Sequence, residues 1–326
     1  MTGPKTHHIF YKQLKQYLNK DILDNLPHYD EYSIFAQGHD LLIYYDFYKI
    51  YSNKRLEVNL HYSELLQEFY FPEFIYNYIK HAQKIGTLHN EQIRLFLYGY
   101  IGHHILDAYT HPFIIYYSGD HMREPQNPTW WHGIVENLID IYLMEKEEHI
   151  NPQIYPVYKD FTFSRNKLIS ILQEVLNDSL QEIYGFKGGG EDFCKAMTQI
   201  GLFIRIFKYD STGIKRVFFD KVDTLLKGTA SFSYHRNNAE VLPFLNENHE
   251  LWRNPMNGNI TSYKSFWELY QSALKDTAEI INQLEGILNN KIIDKDIIYS
   301  IIPNIASTHG LKCGQKLEIN HKKQWN

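Results

Sequence analysis

His103, Asp107 and His111 stand at four-residue intervals in an otherwise apolar stretch, "GYIGHHILDAYTHPF" (99–113). At 3.6 residues per turn, a step of four drifts only about 40° around a helix, so the three side chains share one face. Imidazole nitrogens with a carboxylate oxygen between them form a donor set that suits zinc. His132 and Glu136 repeat the four-residue step one segment later. A single His-x-x-x-Asp or His-x-x-x-Glu pair is cheap, since roughly two arise by chance in a chain this rich in histidine. The His-x-x-x-Asp-x-x-x-His triple is not, at about 0.05 expected. A carboxylate in apolar surroundings is costly without a cation, which gives Asp107 a second reason to be a ligand.

Other residues can complete the coordination. Asp40 in "AQGHDLL" and His61 in "NLHYSELL" each stand at the entrance of a helix, and His7 shares a side of the first helix with Leu14 and Leu18. His104 points about 100° away from His103 and reads as a packing residue or an outer partner of a ligand. His39 reads as a turn residue. Asp140, one turn beyond Glu136, either orients a ligand or is simply exposed.

Helical periodicity dominates the elements that must position these residues. Ile9, Phe10, Leu14 and Leu18 mark a first helix with Thr6 as its cap. "LLIYYDFYKIY" (41–51) reads as a buried second helix. Residues 62–82 read as a helical pair restarted at Pro72. Asn90 caps a long helix over 91–110, which Pro112 is expected to end at His111. Residues 127–149 form another helix, and "NPQIYP" (151–156) a break. Helices are expected at 164–184, 191–208, 211–227 and 263–289, with Ser164 and Ser262 as caps. The segment 228–261 is irregular and aromatic, too long for an idle connector. No alternating strand pattern is convincing, and "GFKGGG" (185–190) lacks the lysine and Ser/Thr of a phosphate-binding loop. An all-α multi-helix bundle around a buried multinuclear zinc cleft is expected. Residues 1–150 would form the metal-site region, and 151–326 a helical region packing on it as one continuous domain.

The 326 residues suffice for a large core, and the 44% hydrophobic content is globular. A net charge of −5 with scattered Lys and Arg does not favour a nucleic-acid-binding face. Two cysteines, Cys194 and Cys313, are too few for a disulfide framework. The first residues contain no apolar signal region, and no apolar run is long enough to span a bilayer. A soluble, cytoplasmic protein is the expectation.

"YGYIGHHILDAYTHPFIIYY" followed by "HGIVENLID" resembles the bacterial zinc-dependent phospholipase C family, which is related to the single-strand nucleases of the P1/S1 type. The resemblance extends back to "THHIF" (6–10), "AQGHDLLIYYDF" (36–47) and "LHYSE" (60–64), and more weakly forward to "LNENHELWRNP" (245–255) and "STHGL" (307–311). It implies an all-helical fold with a cluster of zinc ions, two to three here. Asp40, His61, His103 and Asp107 would hold one ion; His111, His132 and Glu136 a second; Asp107 and His7 would reach the third. The secreted enzymes of the family complete that third site with a mature N-terminal residue. Here the site would be left to His7, Asp107 and water, and so would be the weakest. The interval from Asp107 to His111 is also shorter than in the secreted phospholipases.

The function implied is hydrolysis of a phosphodiester by a zinc-bound hydroxide, with Asp40, read as the outermost carboxylate, as general base. The substrate is a phosphoester, with phospholipid among the candidates; Tyr234, Trp252 and Phe266 either line its cleft or merely pack. The alternatives are a nuclease or nucleotidase on the same scaffold, an HD-type phosphohydrolase using the adjacent His39–Asp40 pair, and a non-catalytic metal-binding protein.

Overall fold

A 28-residue helix, Glu91–Ser118, runs through the middle of the protein and is buried on nearly every side. The computed structural model describes residues 3–323, except for 50, 120–127, 165, 167–169, 219–220, 222–232, 237, 289–292 and 316. In chain order the helices are α1 (Pro4–Leu14), α2 (Lys20–Asp24), α3 (Asn53–Leu56), α4 (Ser63–Glu68), α5 (Phe71–Lys84) and the central α6 (Glu91–Ser118). They continue with α7 (Pro128–Glu147), α8 (Ser170–Tyr184), α9 (Gly189–Phe207), α10 (Phe266–Leu288) and α11 (Lys295–Ile301). A run of 3-10 turns, Tyr29–Tyr44, and a π-helical turn, Glu57–Tyr62, complete the N-terminal half. Among the described residues the fold is all-α, apart from one small hairpin.

α6 is apolar all round because it has no solvent face to serve. Asn90 caps it as expected, its side chain accepting from the Gln92 N–H at 2.9 Å. The 3-10 run, α10 and α7 pack on it, while α5, α8 and α9 form a series leading back to the 3-10 run. Buried residues such as Leu95, Phe96, Leu97, Ile101 and Ile105 each contribute about 1.5–3 kcal/mol by leaving water. One contiguous core extends from Ile9 to Ile302, so both halves of the sequence share it. Among the described residues no helix is long and apolar enough to cross a membrane.

Several local expectations are corrected. Residues 41–51 are not a helix: the 3-10 run ends at Tyr44 and is broken at Gly38, where φ is +48°. Gly38 lies against the His103 ring, and a Cβ there would come within 2.5 Å of it. α6 does not stop at His111 but continues through Pro112 to Ser118. Proline leaves the Ala108 carbonyl without its helical N–H. Gly310 closes over that carbonyl, in a position where a Cβ would be 2.4 Å from the oxygen. Within 228–261, β1 (Trp252–Asn254) and β2 (Asn257–Ser262) pair antiparallel. Asn254 makes the turn by accepting from the Met256 and Asn257 N–H groups at 3.0 and 3.2 Å. With only three residues in β1, no alternation can show.

The caps differ as well. α1 begins at Pro4 rather than behind Thr6. α8 runs over Ser170–Tyr184, and residues 165 and 167–169, which would follow a cap at Ser164, lie outside the described residues. α10 is entered through Ser265 rather than Ser262: the Ser265 hydroxyl accepts from the Glu268 N–H, and the Glu268 carboxylate accepts from the Ser265 N–H. That is a reciprocal capping box. Of the expected helix over 211–227, residues 214–218 are helical, while 219–220 and 222–227 lie outside the described residues.

Candidate metal centre

α6 presents His103, Asp107 and His111 on one face, and the rest of the fold converges on them in two groups. In the first, one donor atom from each of His7, Asp40, His103 and Asp107 lies within 4.8 Å of every other, and all four residues are buried. His7, from α1, places Nε2 3.3 Å from Asp107 Oδ1 and stacks its ring on that of His103 at 3.9 Å. His103 Nε2 is 3.4 Å from Asp107 Oδ2 and 3.8 Å from Asp40 Oδ1. Its other nitrogen, Nδ1, donates to the Ala36 carbonyl at 3.0 Å. A carbonyl can only accept, so in the neutral ring the proton sits on Nδ1 and Nε2 turns a lone pair to the cluster. Burial holds the ring neutral by pushing its pKa well below the ordinary value.

The two carboxylates titrate in opposite directions. Burial raises the Asp40 pKa, and the Asp107 charge raises it further. Burial opposes ionisation of Asp107 too, but the His7 ring against its Oδ1 outweighs this and holds the carboxyl well below the usual range. Two buried acids beside the inward lone pair of the neutral His103 ring form an electron-rich cavity, and a cation would satisfy it. This cluster can therefore hold a metal ion.

The second group joins His111 with His132 and Glu136 of α7, again with one donor atom from each within 4.8 Å of the others. His111 Nδ1 donates to the Thr308 carbonyl at 2.6 Å, which directs its Nε2 lone pair at His132 Nε2, 3.0 Å away. Glu136 Oε1 lies 2.8 Å from the same His132 nitrogen. Burial keeps His111 neutral, the form that binds metal. Backbone carbonyls thus fix the tautomer of one histidine in each group, which is how metal-binding imidazoles are oriented.

Two devices hold these side chains in place. The first is Asp140, buried on α7 one turn beyond Glu136. Its carboxylate accepts from the Thr6 N–H and hydroxyl, both at 2.7 Å, from the Lys5 N–H at 3.3 Å and from the Tyr234 hydroxyl at 2.7 Å. It satisfies the open N–H groups at the start of α1 and so fixes the helix that carries His7. The second is the segment 305–310. Its Ile305 carbonyl accepts from His104 Nε2 at 2.7 Å, its Thr308 carbonyl from His111, and its Ser307 hydroxyl lies 3.1 Å from His39 Nε2.

Seven of the eight expected ligands therefore come together. The eighth, His61, does not: it is exposed on the π-helical turn, with its ring against Tyr62. Asp40 is not the outermost carboxylate, since its side chain is 7% exposed against 16% for Glu136. His39 is no mere turn residue; it is buried, and its Nδ1 lies 3.2 Å from Asp40 Oδ1. His104 packs as expected, stacked on Phe71 at 3.6 Å. Tyr234 and Phe266 are buried and pack, whereas Trp252, which donates to the Lys264 carbonyl, also lines a cavity beside α6. Expectations about the amino terminus fall on residues 1 and 2, outside the described residues. The signal for His39 was its adjacency to Asp40, and the signal for Ser307 was the short match at 307–311. No protein-family model matches this chain, and neither does any curated protein or solved structure.

Proposed function

We propose that the protein is a zinc-dependent phosphoesterase that hydrolyses a phosphodiester, of the phospholipase C-like kind its motifs resemble. The observation that carries this reading is the pair of His/carboxylate groups gathered around His103, Asp107 and His111 of α6, each with a carbonyl-fixed imidazole. The mixture of nitrogen and carboxylate donors, without thiolates, fits zinc.

His7, Asp40, His103 and Asp107 would hold metal in the first group, and His111, His132 and Glu136 in the second. Zinc there would supply a water acidified toward neutrality and positive charge for phosphoryl oxygens. The neutral rings of His103 and His111 offer their lone pairs without first losing a proton. Asp40 is the group to accept a proton, since burial and Asp107 raise the proton affinity of its carboxyl. Glu136 is the most exposed of the three carboxylates.

Elemental analysis of protein purified without chelator, combined with a phosphoester panel, tests the reading. The expected result is two to three equivalents of metal, mainly zinc, and turnover of a chromogenic phosphodiester. Phosphatidylcholine vesicles, single-stranded DNA and 3′-nucleotides then separate the phospholipase from the nuclease and nucleotidase. Less than half an equivalent after dialysis against zinc overturns the metal reading. Full metal without turnover of any of these points to the non-catalytic alternative.

A further inference from the structure

We propose that His39 is a ligand of the first metal ion, in the place the family resemblance gives to His61, and that Ser307 orients it. The inference rests on the metal reading above and assigns one of its ligands. His39 is fully buried, and its Nδ1 lies 3.3 Å from His103 Nε2 and 3.2 Å from Asp40 Oδ1. His103 Nε2 is in turn 3.4 Å from Asp107 Oδ2 and 3.8 Å from Asp40 Oδ1. A tetrahedral ion with bonds of about 2.0–2.1 Å keeps its ligand atoms about 3.3–3.4 Å apart. Three of these four separations fall at or within about 0.2 Å of that edge, and the fourth is slightly longer. His39, Asp40 and His103 thus converge at spacings close to those of ligands on a tetrahedral ion, Asp107 joins them through His103, and His7 stands against the far oxygen of Asp107.

The far side of the His39 ring supports the same assignment. Its Nε2 is 3.1 Å from Ser307 Oγ, whose own proton has an acceptor in the Gln67 carbonyl at 3.4 Å. The hydroxyl oxygen is then available for the Nε2 proton, which leaves the Nδ1 lone pair aimed at the cluster. An outer hydrogen bond of this kind fixes the tautomer of a metal-binding histidine. Such ligation gives the first ion the adjacent His–Asp pair of the HD-type rival, but the group on α7 has no place in that dyad.

The test is a titration of the full-length, metal-stripped protein with Zn2+ and with Co2+ against a competing chelator. His39→Gln is expected to lose one ion and to alter the visible spectrum of bound Co2+, with its circular dichroism unchanged. Ser307→Ala should weaken the same ion by about 10–100-fold, the cost of losing an outer partner. Ser307→Thr, which keeps the hydroxyl, should restore it, and His61→Gln should bind as the wild type does. If His39→Gln fails to fold, the Ser307→Ala and Ser307→Thr pair decides. Wild-type binding by His39→Gln overturns the assignment, as does unchanged binding and spectrum in Ser307→Ala, or loss of the ion in His61→Gln instead. A wild-type protein that binds no ion overturns the metal reading itself.

Discussion

His111 and His132 face one another, Nε2 to Nε2, at 3.0 Å, although they are carried by different helices. With the His111 proton committed to Thr308, at least one of the two facing nitrogens is a bare lone pair. His132→Ala and Glu136→Ala should therefore each release about one metal and abolish phosphodiesterase activity. Elemental analysis beside an activity assay checks both. Retention of full metal by either variant would remove it from the ligand set.

His104 gives the contrasting outcome. It touches Phe71 and the Ile305 carbonyl, so His104→Ala should keep its metal while losing stability. The loss is about 2–4 kcal/mol, from a core void and an unpaired carbonyl. Urea denaturation reads the stability, and metal content shows whether this residue and its neighbour His103 really differ.

In the metal-free protein His104 also carries an acid liability. Burial pushes its pKa down to about 3, whereas the unfolded chain takes up the proton near the ordinary 6.5. Between those values the unfolded state binds more protons, so stability falls as pH falls, by up to about 1.4 kcal/mol per pH unit for this group. His104→Phe should flatten the decline of stability between pH 6.5 and 4 relative to wild type. Parallel acid slopes would show that His104 is already protonated in the folded chain.

Asp140→Asn keeps the shape of the helix-capping side chain but removes its charge. It should cost about 1–3 kcal/mol through weaker bonds to Thr6, Lys5 and Tyr234. It should also loosen the metal that depends on His7, because α1 loses its anchor. Zinc titration of the wild type is expected to show two tight sites and one loose one, and His7→Ala should remove only the loose one. Equal affinities at all sites would contradict the assignment of His7.

Gly310→Ala tests the lock over Ala108. At φ +65°, with the added Cβ 2.4 Å from the Ala108 oxygen, the backbone must shift. A loss of about 1–3 kcal/mol is expected, together with weaker metal binding through the displaced Thr308 carbonyl. A thermal shift within a degree of wild type would mean that the segment yields freely.

Most of the metal centre was readable from spacing, because helical periodicity alone brings His103, Asp107 and His111 to one face and pairs His132 with Glu136. What spacing cannot convey is which nearby histidine turns inward. His61 and His39 each flank a helix start, and only the 3-10 geometry around Gly38 buries one while the π-helical turn exposes the other. The continuation of α6 through Pro112 was illegible for a related reason. The residue that packs against the freed Ala108 carbonyl, Gly310, lies far along the chain, beyond the reach of any local rule. Asp140 escaped in the same way, since it caps a helix on another part of the chain.

The grip of residues 305–310 on α6 also has a consequence for synthesis. The histidines, aspartates and glutamate of the centre are all translated within the first half of the chain, but the groups that set the His111 and His104 rings emerge near its end. A ribosome-bound chain that has reached residue 290 thus carries every proposed ligand and still lacks the carbonyls that aim two of these imidazoles. On the reading proposed above, metal capture by His111, His132 and Glu136 would wait for the completion of the polypeptide.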